Sequence, residues 1–155
     1  MNRADAFGRN YLQGRISGEF ALAAHIGVVV ESADDSGLKL RAPLLPNANH
    51  KGTAFGGSLF AVAVLAGWAW LARYLAQHAI AADAVIQESN IRYLAPVSGA
   101  FRATLLAPKP AEIERFRKML RRASRARIHL RVDIHEGSTL ATRFEGWYVA
   151  AAKDA

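Results

Sequence analysis

Apolar residues recur along this chain in three rhythms, and each predicts a different kind of element. From Leu59 to Leu71 almost every residue is apolar, with Ala, Leu, Val, Phe and Trp on all sides. A helix that is apolar all round has to be buried. The run predicts a central helix over Ser58–His78, roughly 30 Å long at about 1.5 Å per residue. The second rhythm is strict alternation: Ile128, Leu130, Val132 and Ile134 interleave with His129, Arg131, Asp133 and His135. That pattern is a strand with one dry and one wet face. The third is helical spacing. It places Phe7, Tyr11 and Leu12 on one side of a short helix over residues 3–13, ended by Gly14 and Gly18. It also puts Ile113, Phe116, Met119 and Leu120 on the inner face of a helix over Ala111–Arg122.

Turn residues divide the remainder. Leu22–Ile26 reads as a helical turn leading into a strand over Gly27–Ala33, and Asp34-Asp35-Ser36-Gly37 turns it into a second strand, Leu38–Leu44, which stops at Pro46. After the central helix come strands over Ala84–Leu94 and Ala100–Ala107, joined by Pro96-Val97-Ser98-Gly99. Pro108-Lys109-Pro110 breaks the sheet, and Gly137-Ser138 opens a last strand, Thr139–Ala150. Strands joined by short turns imply an antiparallel sheet, and one long apolar helix implies that the sheet wraps around it. The expected fold is a single α+β domain over residues 1–155, a length that supports one core. A membrane span is disfavoured, because Arg73 and Gln77 interrupt the run before the ~20 apolar residues a bilayer needs.

Composition changes this picture in two places. The chain has no cysteine, which excludes a disulfide framework, a thiol nucleophile and thiolate metal sites and suits a reducing cytoplasm. A cytoplasmic protein is expected, since no apolar stretch follows the basic start as in a signal peptide. The net charge of +7 is concentrated in one segment. No acidic residue lies between Glu114 and Asp133, whereas Arg115, Arg117, Lys118, Arg121, Arg122, Arg125, Arg127 and Arg131 do. Such a run is either a solvated face or a docking patch for an acidic partner or a phosphate. It lacks interleaved aromatics, so no nucleic acid is expected. The histidines show no metal-ligand spacing, and nothing suggests a phosphate loop, so neither metal nor cofactor is predicted.

The candidate chemistry sits where the polar stretch Asn47–Thr53 runs into the central helix. Gly52, Gly56 and Gly57 let the backbone turn tightly and let a ligand approach closely. The first N–H groups of a helix have no internal partner, and with the helix dipole they suit an oxygen that gains negative charge. Asn49 could equally form a turn or cap, and the glycines could serve only a tight turn and close packing.

The order of elements and two motifs resemble the hot-dog superfamily of acyl-thioester enzymes. The first motif is Asn49-His50-Lys51-Gly52-Thr53-Ala54-Phe55-Gly56-Gly57, which is similar to the Asn-x-x-Gly-Thr-x-His-Gly-Gly entry of hot-dog thioesterases. The second is Asn90-Ile91-Arg92-Tyr93-Leu94-Ala95-Pro96, similar to a strand ending in Tyr-x-x-Pro. Phe55–Leu59 matches the Phe-Gly-Gly-Ser-Leu signature of a thioesterase branch found as stand-alone or fused C-terminal domains. The resemblance implies a curled antiparallel sheet around a central helix, and homodimers, or tetramers, with sites at the subunit interface. It further implies that Gly56 donates its N–H to the thioester oxygen, that Asn49 holds that carbonyl or a water, and that Thr53, Phe55, Gly57 and Ser58 line the mouth. The substrate expected from it is an acyl thioester of coenzyme A or acyl carrier protein.

One departure divides the possible reactions. Related hydrolases keep an Asp or Glu about two turns into the helix, where this chain has Val64, and no acidic residue occurs between Asp35 and Asp83. A thioesterase, the family default, would then borrow a base from elsewhere. Glu88 on the following strand is the candidate, with pairing to Arg92 or simple solvation as its structural alternative, and His50 lies on the loop. A malonyl-acyl-carrier-protein decarboxylase needs no activated water, only an oxyanion site and a desolvating pocket. On that reading Arg121, Arg122 and Arg125 dock the acidic carrier. A non-catalytic or dehydratase-like acyl-thioester binding protein is the third reading.

Overall fold

A computed structural model describes residues 6–153. The elements run α1 (Arg9–Glu19), α2 (Ala21–Ile26), β1 (Val29–Asp34), β2 (Gly37–Ala42), α3 (Gly56–Gln77), β3 (Ala82–Tyr93), β4 (Phe101–Leu106), α4 (Pro110–Ala123), β5 (Arg125–Glu136) and β6 (Thr139–Ala152). A short 3-10 helix, Leu45–Asn47, follows β2. The six strands form one antiparallel sheet in the order β1-β2-β4-β5-β6-β3.

α3 is the core, as its composition requires, and it packs on every strand from β2 to β6. It is long and apolar enough to cross a membrane, yet 78% of its most apolar window is buried inside the protein. The sheet's inner face is read directly from side chains that reach it. Phe144 meets Phe60 edge to face with centroids 5.9 Å apart, and the buried Tyr148 donates its hydroxyl to the Val64 carbonyl at 2.9 Å. A Cβ added at Gly67 would lie 2.2 Å from the Tyr148 ring, so glycine is what lets strand and helix close here. Burial raises the Tyr148 phenol above its ordinary range.

The N-terminal helix departs from the expectation. It spans Arg9–Glu19 and runs through Gly14 and Gly18, both of which look into open space. Each glycine costs about 1 kcal/mol against alanine. Leu12 and Ile16, fully buried one turn apart, outweigh that, and the Gln13 side chain accepts the Val30 N–H at 2.6 Å. The predicted start, residues 3–5, lies outside the described residues. On α4, Phe116 and Leu120 are buried and Ile113 partly so, whereas Met119, expected inside, is exposed.

Strand β3 carries the alteration that matters most for function. Its pairing with β6 shifts between Ile86 and Glu88, leaving Gln87 as a bulge. A bulge adds one residue to one strand and breaks the period of two. Ala82, Ala84 and Ile86 pack against the core before it, and Ile91 does so after it.

Candidate active site at the helix entrance

The loop before α3 is built to hold a fixed shape. Asn49 closes it: its Oδ1 accepts the N–H groups of Lys51 at 2.8 Å and Thr53 at 3.2 Å, and its Nδ2 donates to the Thr53 hydroxyl at 3.0 Å. The backbone adds Asn49 N–H to Thr53 O at 2.7 Å, and Gly52 takes the turn at φ +74. Asn49 therefore fills its turn-forming alternative, with Thr53 as its partner. Deeper in, the buried Asn47 donates Nδ2 to the carbonyls of Ile26 at 2.8 Å and Pro43 at 2.7 Å, while its own carbonyl accepts Phe55 N–H at 2.7 Å. Ala54 N–H bonds Val97 O at 2.8 Å, and Glu136 accepts Ser98 N–H at 2.9 Å from behind.

This shell sets the first turn of α3 in place. Phe55 is the N-cap residue and has no side-chain cap, and its carbonyl receives the Ser58 N–H at 2.9 Å and the Leu59 N–H at 3.2 Å. Among the described residues, the N–H groups of Gly56 and Gly57 have no acceptor. Tyr93, at the end of β3, lies against Gly56: its hydroxyl donates to Gly56 O at 3.0 Å, and a Cβ on Gly56 would sit 3.3 Å from its ring. The Phe55 ring folds over Gly57, where a Cβ would come within 2.3 Å. Phe55 and Tyr93 are both more than half exposed, at 58% and 53%. The result is a pair of free N–H donors on the positive end of a helix, walled by aromatic rings, which can hold an oxygen that becomes negative. Ser58 is half-buried beside them.

Within one chain, Glu88, expected as the base, faces away from this entrance. Continuous alternation from Ile86 would turn Glu88 toward α3, but the Gln87 bulge reverses the phase. Glu88 pairs with Trp147, which faces away from the helix, carries Arg127 4.4 Å over its ring and touches His129. Asn90 and Arg92 follow, lining a groove of about 550 Å³ with His129, Arg131 and Arg143. That groove lies on the sheet face opposite α3, and its charges answer one another: Arg143 with Asp133 at 3.9 Å, Arg131 with Glu145 at 3.9 Å. His50 is exposed on the loop. No group of three His, Cys, Asp or Glu converges among the described residues.

The arginine segment lies elsewhere. Phe116 of α4 packs on Tyr74, near the far end of α3, about 27 Å along the helix from Gly56 at 1.5 Å per residue. Arg121, Arg122 and Arg125 are exposed there, Arg121 within 4.0 Å of Glu114. Residue chemistry alone does not single out Tyr93 or Asn47, although Tyr93 opens the Tyr-x-x-Pro motif.

The model of the family described as "Putative thioesterase (yiiD_Cterm)", YiiD_C, matches residues 9–152. The chain belongs to that family. Solved structures agree with the YiiD_C assignment. A Chlorobaculum tepidum TLS protein of unknown function is 34% identical, with 94% of each chain covered and a TM-score of 0.88. A putative thioesterase from Shewanella oneidensis is 27% identical over 95% of this chain and 99% of its own, with a TM-score of 0.84. A mutant thioesterase from Pseudomonas aeruginosa, 15% identical over 92% of this chain and 93% of its own, shares the fold at a TM-score of 0.70. The YiiD_C chain has the hot-dog fold of these thioesterase-like proteins.

Proposed function

We infer that this YiiD_C protein acts on acyl thioesters of coenzyme A or acyl carrier protein, with the thioester oxygen held by Gly56 N–H and Gly57 N–H. The observation that carries the reading is that these two donors are free among the described residues and open to solvent between Phe55 and Tyr93. Hydrolysis is the reaction its family membership supports. In that reaction water adds to the polarised carbonyl, the oxyanion rests on the two N–H groups, and the thiol leaves.

One observation favours a second reaction on the same donors. The entry loop and α3 contribute no carboxylate, Val64 stands two turns in, and Glu88 points the other way. Decarboxylation of a malonyl thioester requires no base: the carbon–carbon bond breaks, its electron pair forms the enolate held at Gly56 and Gly57, CO2 departs, and solvent returns a proton to give the acetyl thioester. The apolar walls at Phe55 and Phe60 suit a carboxylate that must lose its hydration.

The working unit we propose is a cytoplasmic homodimer through the open edge of β3. β3 begins beside the C-terminal half of α3, near Leu75 and Ala76, and ends at Gly56. Antiparallel pairing of two such edges brings one chain's helix entrance to the other chain's basic end. Arg125 stands only two strands inside that edge, through Ala151 to Asp83, roughly 9.6 Å. A carrier docked on Arg121, Arg122 and Arg125 then feeds the neighbouring subunit's site. Two such dimers could pair into a tetramer.

The test is a paired assay on malonyl and acetyl thioesters of coenzyme A and of carrier protein, following intact thioester and free thiol by mass. Thiol release establishes hydrolysis, and malonyl converted to acetyl thioester without thiol establishes decarboxylation. Binding without either marks a thioester-binding protein. If no thioester is bound or turned over, the proposal fails.

A further inference from the structure

Behind the two donors stand two aromatic residues, Phe60 and Phe144. Phe60 lies one turn beyond Gly56 on the same side of α3, and side chains on a helix lean back over the preceding turn, toward the Gly56–Gly57 donors. It is 36% exposed, and its ring meets Phe144 edge to face at 5.9 Å. Phe144 is in register with Ile91, and two residues on, Tyr93 covers Gly56. One turn past Phe60 the strand and helix close altogether: the Tyr148 hydroxyl is bonded to Val64 O at 2.9 Å, and its ring fills the side of Gly67.

We propose that Phe60, backed by Phe144, is the floor of the acyl site and restricts this protein to short acyl chains. The inference rests on the thioester reading above. From the donors to the Phe60 ring there is at most one turn of helix, roughly 5 Å, which admits an acyl group of about two to four carbons. A longer chain meets an aromatic pair and, behind it, a fully packed Tyr148. Phe60 specifies substrate without touching the reacting carbonyl.

The experiment measures acetyl-, butyryl-, octanoyl- and lauroyl-coenzyme A with the wild type, Phe60→Ala and Phe144→Leu, recording both turnover and calorimetric affinity. The wild type is expected to lose about tenfold or more in kcat/KM or affinity between butyryl and octanoyl. Phe60→Ala should raise the octanoyl-to-acetyl ratio of kcat/KM about tenfold over the wild-type ratio, and Phe144→Leu should move the ratio the same way by less. A wild-type profile that stays flat or rises to lauroyl overturns the short site, and an unchanged profile in Phe60→Ala overturns the role of that residue. If no thioester of any length binds or reacts, the thioester reading itself has failed and this inference falls with it.

Discussion

Gly56 has to present an N–H outward while its carbonyl and Cα face a tyrosine, and that combination makes it testable. The preceding residue, Phe55, sits at φ −63 and ψ 132, a conformation that a residue before proline prefers, and the first position of a helix tolerates proline. Gly56→Pro therefore removes the donor and keeps the helix. We expect a loss of about 100-fold in kcat with a circular dichroism spectrum like that of the wild type; a folded variant with full activity would exclude the N–H from the reaction. Gly67 makes a different demand, because Tyr148 has no room to retreat. Gly67→Ala should cost roughly 2 kcal/mol by denaturant unfolding. Glu88→Gln should leave turnover within about twofold, since an exposed residue on the outer face is close to neutral in stability and touches nothing at the entrance. At this scale the sequence exposed the glycines, because a glycine is conspicuous where a backbone must be reached. It concealed the direction of Glu88, because a bulge leaves no mark in a strand read at period two, and it did not reveal that Asn49 bonds Lys51 and Thr53 within its own loop.

Among elements, the join between α3 and the N-terminal segment depends on one buried cation. Arg73 is 4% exposed and donates to Phe7 O at 3.0 Å, Asp34 O at 2.9 Å and Asp35 Oδ1 at 3.1 Å. It ties the start of the chain and the β1–β2 turn to the core helix. Arg73→Met should cost about 2 kcal/mol through the lost charge-assisted bonds. The Arg73 guanidinium also holds the Asp35 carboxyl below its usual range. A depressed carboxyl adds stability above its unfolded pKa, about 3.9, and that share is lost as pH falls through the lower folded value. Acid unfolding below about pH 4 should thus be shallower in Arg73→Met than in the wild type, by a small margin because Asp35 is exposed. Element types were legible from alternation in β5 and from the unbroken apolar run in α3. Boundaries were not wherever glycine fell on an open helical face, as in α1, since propensity is weaker than two buried aliphatic side chains.

For the molecule as a whole, charge and edge belong together. The exposed arginines at the end of α4 and the start of β5 stand at the far end of α3 from their own chain's entrance, a separation that the linear sequence does not reveal. Arg121→Glu combined with Arg122→Glu should lower kcat/KM for carrier-linked substrates about tenfold at low salt and leave coenzyme A substrates nearly unchanged. Equal losses on both would remove the docking role. Size-exclusion chromatography with light scattering should give twice the monomer mass, and a proline placed at Val85 should shift it toward monomer.

The shifted register of β3 has a further consequence, for solubility. Both outermost strands of the sheet are irregular, β1 between Val30 and Ser32 and β3 between Ile86 and Glu88. A straight, unpaired edge is a template for open-ended aggregation, and a bend removes it. The bend in β3 falls near the middle of its twelve residues, where it interrupts the straight run that a flat strand from another protein would need. The extra residue that turns Glu88 outward thereby also limits which chains can add to this sheet.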